Sequence, residues 1–167
     1  MEYNEISYLG ALSTLTLYLV GIVREFGILP SISESFYRLN ERKKGLGIVF
    51  TYVMPVVAVM VMVSCEYWST TIAGVGLILV AAAPYFKDIW NKYVHYIGAL
   101  VAVMGTQVYL IHLIYTHKGI DISVRYIAVI ALTSILIKHT IKKNTLWWME
   151  IFFFSLFFLI QGIYLFI

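Results

Sequence analysis

The chain has 167 residues, 61% of them hydrophobic and only 13% charged. So little charge cannot cover the surface of a water-soluble domain of this length. A net charge of +3, spread over the ends of apolar runs, offers no basic face to nucleic acid. The single cysteine, Cys65, excludes an internal disulfide and a metal–thiolate cluster. No Ser-, Gly- or Pro-rich linker, low-complexity tract or repeat interrupts the chain, so residues 1–167 read as one transmembrane domain.

A hydrocarbon core about 30 Å thick is crossed by roughly 20 apolar residues in a helix. Six runs meet that requirement, at about 8–28, 46–64, 68–86, 94–115, 122–137 and 146–167. Lipid offers the backbone no hydrogen bonds, so these runs must be helices. The expected fold is all-α, a polytopic membrane protein built as a six-transmembrane-helix bundle.

The first run follows the acidic segment Met1-Glu2-Tyr3-Asn4-Glu5 and has no small-residue cleavage site, unlike a secretory signal. The first loop contains Leu29-Pro30-Ser31-Ile32-Ser33-Glu34, and Ser31 and Glu34 have capping-box spacing. Ile32, Phe36 and Leu39 then share a face, and Arg38, Arg42, Lys43 and Lys44 add cations suited to an anionic leaflet. This pattern predicts a short capped helix lying on the membrane surface.

In the second run Pro55 removes an amide from the ladder and predicts a bend. The third run carries Ala73, Gly74 and Gly76, and the fourth carries Gly98, Ala99, Ala102 and Gly105. Such small residues let helix backbones approach in lipid, within the monomer or in a homo-oligomer. Between these runs lies Ala81-Ala82-Ala83-Pro84-Tyr85-Phe86-Lys87-Asp88, and the fourth run opens with His95. The intramembrane polar residues are few: Gln107 near mid-membrane, and His112 and Gln161 further out, are expected to be hydrogen-bonding glue between helices. Asp121 and Arg125, four apart, are expected to pair.

Orientation follows from the cations. Nine of the twelve Lys and Arg residues lie in the first, third and fifth loops or at their margins. The positive-inside rule then puts loops 1, 3 and 5 in the cytoplasm and both termini outside, in a plasma or inner membrane. Loop 1, the 81–99 turn and His95 would share the cytoplasmic interface. Ser31, Ser33, Glu34, Asp88 and His95 are therefore the candidate ligand-binding residues, on the expectation that they face one cavity. A histidine with two carboxylates also suits a divalent metal, although no repeated His spacing fixes such a site.

The elements Ser31-Ile32-Ser33-Glu34 and His95-Tyr96-Ile97-Gly98-Ala99, with six spans over nearly the whole chain, resemble the small six-span membrane proteins of the DRAM type and their bacterial relatives. Glu34 stands where those proteins typically carry Asp. The resemblance implies a regulatory or accessory membrane protein and offers no established catalytic residues to carry over; no cofactor is expected, zinc entering only under the enzyme alternative. Ser33, Asp88 and His95 also form a partial analogue of the zinc-dependent membrane hydrolases of the ceramidase and progestin-receptor type, but the last run lacks their paired histidines. The sequence thus reads as a small integral membrane protein with a polar site at the cytoplasmic interface and membrane lipids as its partners. The alternatives are a zinc-dependent hydrolase acting on lipid and a homo-oligomeric channel or transporter.

Overall fold

A computed structural model describes residues 3–65, 67–86, 88–141 and 144–166, apart from the side chains of residues 88, 89 and 120. Among these residues every regular element is helical. The order is α1 (Tyr3–Phe26), α2 (Glu34–Arg42), α3 (Ile48–Ser64), α4 (Trp68–Ala82), a 3-10 turn (Ala83–Tyr85), α5 (Asp88–Lys118), α6 (Ile120–Thr140) and α7 (Thr145–Phe166).

Five stretches among the described residues are long and apolar enough to cross a membrane: α1, α4 with its 3-10 turn, α5, α6 and α7. The second of the six expected runs, 46–64, forms α3, a shorter apolar helix of 17 residues, so length and composition alone qualify five. Its length is limited at both ends. Gly45 adopts a positive φ of 94° in the preceding turn, and Cys65 is extended immediately after Ser64. The helix passes through Pro55 as one element. Three helices run beyond the apolar windows, α1 from Tyr3 instead of residue 8, α5 from Asp88 instead of residue 94 and α6 to Thr140 instead of 137. Interfacial polar residues keep helical hydrogen bonding, whereas a hydropathy window sees only the hydrocarbon-facing part.

Consecutive spans pack side by side, α1 on α3, α3 on α4, α4 on α5 and α5 on α6, while α7 touches α1, α5 and α6. The α4–α5 contact is set by glycine. A Cβ on Gly76 would lie 2.4 Å from the backbone nitrogen of Ala102, and one on Gly98 would lie 2.9 Å from the carbonyl of Gly76. A Cβ on Gly105 would meet the Ser69 carbonyl at 2.7 Å. The small-residue stripes therefore join two helices of the same chain at backbone-contact distance.

The core includes Ala11 and Leu15 of α1, Phe50 and Val57 of α3, Leu110 of α5 and Phe157 of α7. Polar bonds cross it. Tyr109 donates to Gln161 Oε1 at 2.5 Å between α5 and α7, and Tyr126 donates to Gln107 Oε1 at 2.8 Å between α6 and α5. Both glutamines thus act between helices; His112 instead stacks on Tyr67, with ring centroids 4.3 Å apart. Asp121 and Arg125 pair at 2.9 Å on the surface of α6. That helix turns Leu132 and Leu136 outward and buries little.

Candidate functional site

The site begins with the segment between α1 and α2. Gly27, with φ 72°, ends α1 in the left-handed conformation and donates its amide to the Val23 carbonyl at 2.9 Å. The chain then turns inward instead of lying on a surface. Leu29, Ser31, Ile32 and Ser35 are buried, and Ser35 shares a 2.5 Å hydrogen bond with the Tyr18 hydroxyl of α1. The expected surface helix is therefore only half right. α2 forms and exposes Arg38 and Arg42, but the turn leading into it is anchored in the end of the bundle. The physical reason is that Ile32 and Ser35 each have a partner inside: α7 for one and Tyr18 for the other.

The capping box is half formed. Ser31 Oγ accepts the Glu34 amide at 3.3 Å, as the spacing predicts. The Glu34 carboxylate does not return to the Ser31 amide but faces Arg38 Nε at 3.6 Å.

The start of α7 holds this segment at three points. Asn144 donates its side-chain amide to the Ile28 carbonyl at 2.8 Å, and the Trp147 amide donates to the Pro30 carbonyl at 3.1 Å. The Ile32 amide donates to Glu150 Oε2 at 2.6 Å. Asn144 adopts φ 58°, a conformation that asparagine tolerates better than most residues.

From the other side α5 brings His95. Ser33 Oγ and His95 Nε2 share a hydrogen bond of 3.2 Å, and Ser31 Oγ and Ser33 Oγ share one of 3.0 Å. Three of the five sequence candidates, Ser31, Ser33 and His95, thus form one chain of hydrogen bonds. Glu34 lines the same depression but is engaged by Arg38. The Asp88 side chain lies outside the described residues, so its expected convergence on the site is not placed. No group of three or more His, Cys, Asp or Glu side chains comes together among the described residues.

Two hollows meet at the Ser33–His95 bond. On one side is a polar vestibule bounded by Ser31, Glu34, Tyr37, Asn91 and Lys92, with Asn91 donating to the Tyr37 hydroxyl at 3.1 Å. On the other is an apolar groove with an empty volume of about 810 Å³, counted out to its open mouth. Ser33, Phe50, Val80 and His95 border both.

The groove is built from one face of each of four helices. α5 contributes His95, Ala99, Ala102, Val103, Thr106 and Gln107, and α7 contributes Glu150, Phe153, Phe154 and Phe157. Both sets follow the three-and-four spacing of a single helical face. The space exists because alanines of α4 and α5 stand opposite the phenylalanines of α7. Its length, from His95 to Gln107, is twelve residues or roughly 18 Å at the helical rise, close to the ~15 Å depth of one leaflet's hydrocarbon.

Among the described residues, two polar groups at this groove stand out as short of partners. Glu150 makes one bond, from Ile32, and no ion pair among the described residues, although a carboxylate can accept about four. At the far end Gln107 Nε2 is buried without a partner.

Glu150 is the residue that the sequence reading passed over. A charge in the first turns of the last span, heading the stripe Glu150, Phe153, Phe154, Phe157, was the available signal. Intramembrane carboxylates are rare enough to be functional candidates by default. Comparison with known proteins adds no assignment: no family model, curated protein or solved structure matches the chain.

Proposed function

We propose that this is a six-span membrane protein that binds a lipid-like amphiphile, headgroup in the vestibule and hydrocarbon chain in the groove. The observation that carries the reading is the position of the Ser31–Ser33–His95 chain at the junction between a polar hollow and an apolar one. An amphiphile requires that succession of surroundings along its length. An aqueous pore requires a continuous polar stripe instead.

The sixth span in this reading is α3. Seventeen residues is the lower limit for crossing a bilayer, and α3 is packed between α1 and α4, both of which have spanning length. The positive-inside rule then places the vestibule at the cytoplasmic interface. Lys92 and the serine hydroxyls suit a phosphate there, since the lining carboxylate of Glu34 is already paired with Arg38. The DRAM-type resemblance agrees with this binding role, regulatory or accessory rather than catalytic.

Native mass spectrometry from mild detergent tests the reading and also reports subunit number. Wild-type protein should carry a lipid adduct. Ala99→Phe, which places a ring in the groove, should lose that adduct while keeping its helical circular dichroism. An adduct that survives Ala99→Phe, or none on the wild type, would rule the reading out.

A further inference from the structure

Glu150 has a distinct position in this arrangement. It is half-buried, lines the groove and not the vestibule, and sits at the end of α7 that holds the segment carrying Ser31 and Ser33. It therefore stands one step below the headgroup site, at the level where an amphiphile's polar part gives way to its chain. One oxygen is committed to the Ile32 amide at 2.6 Å. No cation among the described residues is within ion-pair reach, and its neighbours along the α7 face are Phe153, Phe154 and Phe157. A carboxyl group in apolar surroundings with a single hydrogen bond is costly unless something else supplies donors.

We infer that Glu150 is a specificity residue: it accepts a hydrogen bond from a donor that the ligand carries beside its headgroup, selecting hydroxyl-bearing single-chain lipids over those that offer only acceptors. The inference rests on the amphiphile reading above. Its chemistry is a matter of complementarity. An ester or ether oxygen at the same level of a fully substituted lipid can only accept, so it pairs with the carboxyl group in its protonated form alone, whereas a hydroxyl pairs with it in either form. A free glycerol hydroxyl presents O–H to the carboxylate while its phosphate remains with Lys92 and the serines. His95 and Ser33, already bonded to each other, mark the boundary between the two levels.

The probe pair is a 1-alkyl lysophosphatidylcholine and its 2-O-methyl ether, which differ at one donor and keep the same chain and headgroup. Each is offered to the full-length protein in nanodiscs, and affinity is read by displacement of a fluorescent lysolipid. The wild type should prefer the free hydroxyl by about fivefold, the size of one ordinary hydrogen bond. Glu150→Gln keeps an oxygen for the Ile32 amide but replaces the other acceptor with a donor, so it should abolish or reverse the preference. Equal binding of the two lipids by the wild type overturns the role of Glu150 and leaves the amphiphile reading standing. Binding of neither overturns both. The wild-type comparison decides the matter even if the variant fails to fold.

Discussion

Cys65 shows how burial controls a single residue's chemistry. It lies between α3 and α4, 3% exposed, and its thiol is pushed above the usual range by desolvation, with hydrogen bonds from Ser64 and Tyr109 opposing the shift. The thiolate is the reactive form, so raising its pKa reduces the reactive fraction at neutral pH. Maleimide should label the folded protein in detergent much more slowly than the protein unfolded in dodecyl sulfate. The labelling rate should still be rising with pH above the ordinary thiol range. Equal rates in the two states would show that the α3–α4 turn opens. The same scale separates the acidic residues. Glu34 is visible to sequence reasoning through its capping spacing, yet its carboxylate serves Arg38, whereas Glu150 has no motif and receives the buried amide.

At the scale of elements, three of the four glycines of α4 and α5 are held by backbone contact, not by conformational need. Gly76 and Gly98 are helical residues whose missing Cβ allows the helices to meet. Gly76→Ala should therefore destabilise the bundle by about 1–3 kcal/mol or more, the usual cost of overpacking, because the atoms it meets are backbone and cannot rotate away. Gly21→Ala on α1 is the control. A Cβ there has nothing within 4 Å, and replacing a helical glycine should stabilise by roughly 0.5–1 kcal/mol. Thermal unfolding of both variants in one detergent checks the pair, and equal midpoints would contradict the contact. Ser31→Ala removes the acceptor for the Glu34 amide and should cost about 1 kcal/mol. Faster amide exchange confined to the first turn of α2 would report it.

For the whole molecule, the orientation proposed from the cations has a direct test. Tyr3 is exposed at the start of α1 and far along the chain from the 28–35 segment. In a Cys65→Ser background, Tyr3→Cys should react with an impermeant thiol reagent on intact cells. A cysteine at Asn40, on α2, should react only after the membrane is opened. The reverse pattern would turn the vestibule to the outer face while leaving its geometry unchanged. The polar end of the groove depends on segments distant in the chain, since residues 28–33 are joined to 144–150 by three hydrogen bonds and to His95 by one. A mutation in any one of them is expected to affect the other two.

The sequence by itself determined the solvent, the secondary structure and most of the spans, because the bilayer imposes the same length and polarity on every segment that crosses it. It also marked Ser31, Ser33 and His95, since polar residues at the ends of apolar runs stand out against their surroundings. Pairs within reach of local periodicity, such as Asp121 with Arg125, were legible for the same reason. What only the tertiary structure decided is which helix faces meet. Periodicity shows that Glu150 and three phenylalanines share a face of α7, and that His95 and two alanines share a face of α5. It carries no information that these two faces enclose one space, or that Ile32 closes its end with an amide. Those facts arise from the order of helices in the bundle, and helix order in lipid is set by side-chain fit between segments far apart in the chain.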